Sequence, residues 1–110
     1  MNIEGIEISN PDKVIFPQQS IRKVDMIQYY EKVANQMLPF LKNRPLTLQR
    51  FPDGISSSGF YQKNIADHFP DVIETISIKT NEGNNTQLIC NDKKSLIYLA
   101  NQGTLRFHIW

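Results

Sequence analysis

Cys90 is the only cysteine among the 110 residues, which rules out an internal disulfide and a zinc centre built on several cysteines. It lies in the apolar stretch "LIC" and is expected to be a small buried hydrophobe. No apolar run approaches the ~18 residues that a membrane span needs. The opening "MNIEGIEISN" lacks the basic segment followed by an apolar one that marks a secretory signal, so a cytoplasmic location is expected. Neither sign of charge dominates: 12 basic residues face 11 acidic ones, for a formal net charge of +1. With 40% hydrophobic and 21% charged residues, the chain has the balance of a globular domain, not that of a disordered one. Internal repeats, low-complexity tracts and linker-like stretches are also missing, so residues 1–110 read as one unit. Finally, no Asp-x-Asp or Glu-x-Asp occurs. Beyond Glu4 and Glu7, the acids Asp12, Asp25, Glu31, Asp53, Asp67, Asp71, Glu74, Glu82 and Asp92 are scattered.

Along the chain as a whole the basic residues are spread in proportion to its length. Lys13, Arg22, Lys23, Lys32, Lys42, Arg44, Arg50 and Lys63 all fall in the first two thirds of the chain, and local clustering matters more for an anionic partner than the total charge does. Lys13, Arg22 and Lys23 flank a proline-broken loop that leads into a helix. From about Ser20 to Leu41 the apolar positions Ile27, Tyr30, Ala34, Met37, Leu38 and Leu41 recur at spacings of three and four, with Ser20 expected as the cap. Pro39 should kink or loosen the helix, which should stop before "NRP". "IEGIEIS" reads as a short strand and "NPDK" as a turn. "LTLQRF" and "GFYQKN" read as an antiparallel pair, and "VIETISIK" and "TQLIC" as another. Asp92 or Asn91 should cap a helix through "KKSLIYLANQ", with Gly103 just past its end. "TLRFHIW" is a last strand with Leu105, Phe107 and Ile109 on one face and Arg106, His108 and Trp110 on the other. The expected fold is α+β, mostly antiparallel strands with two main helices. Ending on Trp110 within a strand, the chain is expected to be a piece of something larger, and the open strand edge to favour self-association.

"SNPDKVIFP", "YYEKVANQMLPFLKNRPLTLQRFPDG", "GFYQKN" and "LIYLANQGTLRFHIW", in that order, resemble the opening of the polymerase domain of bacterial ligase D. That family belongs to the archaeo-eukaryotic primase superfamily, acts with Ku in non-homologous end joining, and is a template-dependent nucleotidyltransferase. The resemblance implies the N-terminal portion of a primase-polymerase domain, a DNA partner with a recessed 5′-phosphate, and a bacterial, nucleoid-associated location. In the family an Asp-x-Asp strand holds magnesium or manganese, and nucleotidyl transfer through two metal ions needs such paired carboxylates. This chain has no such pair, so alone it is expected to bind no cofactor and to be inactive. The alternative is a stand-alone, non-catalytic module that binds nucleic-acid ends.

Site residues follow from the resemblance position by position. Lys13 and Lys23 match the family's 5′-phosphate lysines, and a helix N-terminus with unpaired N–H groups beside them would favour an anion. The bland alternative is a pair of solvated lysines. Phe60 and Tyr61 match an aromatic pair that stacks on a base. As neighbours on opposite faces of a strand, one should be core and the other exposed. Lys63 shares the face of Tyr61 and could reach a phosphate. His108 matches a histidine close to the incoming nucleotide, although a lone strand histidine is more often structural. Arg22 and Arg50 are weaker phosphate candidates, and for Arg50 a salt bridge at the core edge is an equal alternative.

Overall fold

The computed structural model describes residues 1–56, 59–62, 74–80 and 83–109. Two α-helices and short antiparallel sheets make up the described part, the expected α+β arrangement. Helix α1 (Lys23–Leu41) buries Val24, Ile27, Tyr30, Ala34 and Leu41 along one stripe, with Met37 and Leu38 packed at its margin. This is the period that its sequence carries. It packs against α2 (Lys93–Asn101), whose Leu96, Ile97, Leu99 and Ala100 are fully buried. Leu46 and Leu48 close the core from the sheet side, together with Leu88 and Cys90. Burial pushes the Cys90 thiol up to about 12, so it is a packing group.

Both helix starts have a local cause, and one differs from expectation. Ser20 does not cap α1. The chain makes a single 3-10 turn over Pro17–Gln19 that ends with Ser20 in the left-handed region at φ 55°. It then pairs β4 (Ile21–Arg22) with β3 (Val14–Phe16), which keeps it extended until Arg22. Asp25, three residues into the motif, accepts from the Arg22 backbone N–H at 2.9 Å, as the reciprocal half of a capping box does. Pro39 is tolerated because it lies near the helix end, and Lys42 N–H still closes on the Leu38 carbonyl at 2.9 Å. The helix stops before "NRP" as expected.

Asp92 caps α2 by accepting from Ser95 N–H at 2.7 Å. Asp92→Ala should therefore destabilise the protein by about 1 kcal/mol, read as a lower urea midpoint with unchanged slope. Gly103 follows α2 at φ +88°, where an added Cβ would lie 3.0 Å from the Pro52 backbone. A single strand over "IEGIEIS" does not form. Glu4 and Gly5, at φ 53° and 80°, fold it into a hairpin of β1 (Asn2–Ile3) and β2 (Ile6–Glu7).

A three-stranded antiparallel sheet runs in the order β6 (Phe60–Gln62), β5 (Leu46–Arg50), β9 (Thr104–Ile109). β7 (Thr75–Thr80) pairs with β8 (Gly83–Leu88) in a separate hairpin. Helix α1 is tied to β9 through Tyr30. Its hydroxyl donates to the Leu105 carbonyl at 3.2 Å, and its ring meets Phe107 edge-on at 5.7 Å. Burial raises the Tyr30 phenol to about 12, so it remains a donor.

Candidate nucleic-acid end site

The loop Asn10–Lys13 folds back on the start of α1. Lys13 N–H bonds to the Asn10 carbonyl at 3.1 Å, closing a tight turn. The Lys13 carbonyl then accepts from Lys23 N–H at 2.7 Å, and the Pro11 carbonyl from Val24 N–H at 2.9 Å. These are the first two amides of the helix, so they are not open to an anion as the sequence reading expected. Any anion recognition here rests on side chains.

Those side chains converge. A cleft of about 210 Å³ is lined by Lys13, Lys23 and Arg50, with Ser9, Asn10 and Gln102 among its polar walls. Lys23 is not a solvated lysine: it is only 7% exposed. Its Nζ donates to the Ser9 carbonyl at 2.6 Å and to Ser9 Oγ at 3.0 Å. Burial, reinforced by the neighbouring charge of Lys13, lowers its pKa to about 8. Lys13 Nζ lies 2.9 Å from Asp53 Oδ1. Arg50 donates from Nε to the Gln102 carbonyl at 2.9 Å and from Nη2 to Gln102 Oε1 at 3.0 Å. Burial lowers the Arg50 pKa. Three cations thus share one small cleft in a chain of near-neutral charge.

Arg22 does not join them. Its guanidinium pairs with Asp12 at 2.8 Å and Asp25 at 3.4 Å, and hydrogen bonding to Asp25 chiefly raises its pKa. Adjacent residues diverge here because Lys23 opens the helix while Arg22 is still extended.

The aromatic pair departs from expectation in one respect. Neither ring is core: Phe60 is 44% exposed and Tyr61 61%. β6 is an outer strand of the sheet, and Phe60 sits opposite Arg50, whose guanidinium lies 5.0 Å from the ring centroid. A cation therefore covers the face that the core would otherwise take. Arg50 also lines the cleft, so an aromatic surface adjoins the cationic one. On the opposite sheet face Tyr61 approaches His108 at 6.0 Å between ring centroids. Register places Gln49 opposite both Tyr61 and Arg106, and Thr47 opposite His108. Arg106 and His108 are exposed, as the strand alternation predicts. Lys63 and Trp110 lie outside the described residues.

Sequence reasoning missed Ser9, Gln102 and Asp53. Gln102 is 52 residues from Arg50, and nothing local in "ANQG" announces that pairing. Among the described residues no three His, Cys, Asp or Glu side chains gather as metal ligands. The described residues by themselves thus offer no ligand set for the divalent ions that the resemblance implies. Among the same residues no helix is long and apolar enough to cross a membrane.

Comparison with known proteins gives a consistent pattern. The family model described as "LigD, primase-polymerase domain" matches residues 22–110. The chain is 38% identical over 104 residues to the bifunctional non-homologous end joining protein LigD of Bacillus subtilis, covering 94% of this chain and 16% of that protein. It is 33% identical over 106 residues to the multifunctional non-homologous end joining protein LigD of Mycolicibacterium smegmatis, covering 96% and 14%. Among solved structures, the polymerase domain from Mycobacterium tuberculosis ligase D in complex with DNA superposes with a TM-score of 0.90 at 30% identity, over 94% of this chain and 36% of that one. The chain thus spans about one sixth of the length of these curated relatives.

Proposed function

The chain belongs to the LigD primase-polymerase domain family, and from that premise we propose that it is the part of such a domain that holds a DNA end by its 5′-phosphate during end-joining repair. The observation that carries this reading is the convergence of Lys13, Lys23 and Arg50 on one cleft, with the Phe60 ring stacked on Arg50. A terminal phosphate brings nearly two negative charges and three strong acceptor oxygens, which suits several ammonium and guanidinium donors set close together. The adjoining aromatic surface accepts any base, because every base has a π face. The cleft is too small to embrace a duplex wall and is sized for one such group.

On the other sheet face, His108 with Tyr61 and Arg106 is proposed to meet the incoming nucleotide. Metal-dependent transfer with magnesium or manganese belongs, in this reading, to the complete domain, as do contacts with Ku. With no Asp-x-Asp in its sequence, the chain alone should not add nucleotides.

The test is fluorescence anisotropy with paired oligonucleotide duplexes that differ only in a recessed 5′-phosphate or 5′-hydroxyl. The phosphorylated end should bind roughly five- to tenfold more tightly, the worth of a charge-assisted contact reduced by water. Lys13→Ala should remove most of that preference and leave weak background binding. Affinity should fall with salt in proportion to the few phosphates neutralised. Equal affinity for both ends, unchanged by Lys13→Ala, would sink the reading.

A further inference from the structure

An anion stands beside the cationic cleft, paired with one of its lysines. Asp53 belongs to the turn Pro52–Gly54, which is fixed by Gly54 N–H on the Phe51 carbonyl at 3.0 Å and by Ile55 N–H on the Ile15 carbonyl at 2.9 Å. Gly54 takes φ +97° with the Val14 and Ile15 carbonyls close by, so a side chain there would be strained. The turn therefore holds Asp53 at the rim of the cleft, where its carboxylate lies 2.9 Å from Lys13 Nζ. The partners are unequally immersed: Lys13 is 34% exposed at its side chain and Asp53 76%. The lysine is part of the wall, and the carboxylate approaches it from solvent, the direction from which a ligand must come.

We propose that Asp53 is an internal competitor for the anion site, occupying Lys13 in the unliganded protein and giving way to a terminal phosphate on binding. This rests on the end-binding reading and specifies how that site is regulated. A carboxylate offers two oxygens and one charge, whereas a terminal phosphate offers three oxygens and nearly two charges, so the phosphate wins the exchange at Lys13. Weaker anions gain less by it. The exchange also lowers the net affinity, since the Lys13–Asp53 contact is lost each time an end binds. An exposed pair is worth little to folding, so a role for Asp53 in binding carries no large cost in stability.

The experiment is a binding cycle on the same paired duplexes with the unsubstituted protein, Asp53→Asn, Lys13→Ala and the double variant. Asp53→Asn should tighten binding to the 5′-phosphate end by roughly three- to fivefold, the order of an exposed ion pair. It should tighten binding to the 5′-hydroxyl end less, so the preference widens. In the Lys13→Ala background the gain should largely vanish, because the competition is for Lys13. Weaker or unchanged binding by Asp53→Asn would overturn the inference and assign Asp53 to positioning Lys13. An equal gain with and without Lys13 would overturn it too, leaving only general charge repulsion. If the unsubstituted protein has no phosphate preference, the end-site reading itself falls, and the inference with it.

Discussion

Binding of a 5′-phosphorylated end should weaken by about tenfold as the pH rises from 7 to 9. Lys23 titrates near 8 because it is buried beside Lys13, so its ammonium is lost over that interval. A terminal phosphate takes up its second charge with a pKa of ~6, which leaves a window around pH ~7 in which both partners are largely charged. Loss of one charge-assisted contact is worth on the order of 1.5 kcal/mol, or about tenfold. Stability should move the other way. The folded pKa of Lys23 lies below its ordinary value of 10.5. Below pH 8 both folded and unfolded chains hold the proton, and the fold bears the cost of burying it. Between 8 and 10.5 the unfolded chain binds more protons, so stability rises with pH, by roughly 1 to 3 kcal/mol at the upper limit. Lys23→Met should show weak binding at pH 7, a flat binding profile, and no gain in stability across that interval. Anisotropy and urea unfolding at matched pH values measure both. A Lys23→Met profile that still falls between pH 7 and 9 would place the titration elsewhere.

The second large effect belongs to the core. Leu96 lies on α2 among fully buried residues at the contact with α1 and the sheet. Leu96→Ala removes buried methyl groups and leaves a cavity, at a cost of about 2 to 5 kcal/mol. Against a total of ~5 to 15 kcal/mol for a domain, that loss should shift the urea midpoint down by roughly a third at the middle of both ranges. Lys32→Ala, exposed on α1, should change it by less than about 0.5 kcal/mol. If the two variants unfold together, Leu96 does not pack as described.

Much of this was legible in the residues, for identifiable reasons. The helices declared themselves through period and stop signal over Ile27 through Leu41 for α1, and through cap, period and stop signal over Asp92 through Gly103 for α2. The strand pairing of "LTLQRF" with "GFYQKN" followed from alternation and turn residues, and so did that of "VIETISIK" with "TQLIC", although β8 begins earlier, at Gly83, and ends at Leu88, and Val72 and Ile73 lie outside the described residues. The start of α1 was misplaced because Ser20 is a good cap by type, yet Ile21 and Arg22 are claimed by pairing with β3, which a local reading does not weigh. Lys13 and Lys23 were found through the family resemblance. Their environment was not: the burial of Lys23 over Ser9, the Asp53 contact and the Gln102 anchor of Arg50 join segments 14 to 52 residues apart. Phe60 escaped the core because a guanidinium took the place beside it, and alternation along a strand says nothing about that.

The backbone bonds from Lys13 and Pro11 to the first amides of α1 bear on the speed of recognition. Fixing a mobile residue costs ~1 to 2 kcal/mol of backbone entropy, and a loop that closed over its ligand would incur that loss at each encounter. Here the ordering happens when the chain folds, and both ammonium groups ride on one rigid body. In the proposed end-binding role, capture of a DNA end would therefore require no closure of the Asn10–Lys13 loop. Its observed rate should grow linearly with DNA concentration without a plateau, and differences between ends should appear in the dissociation rate.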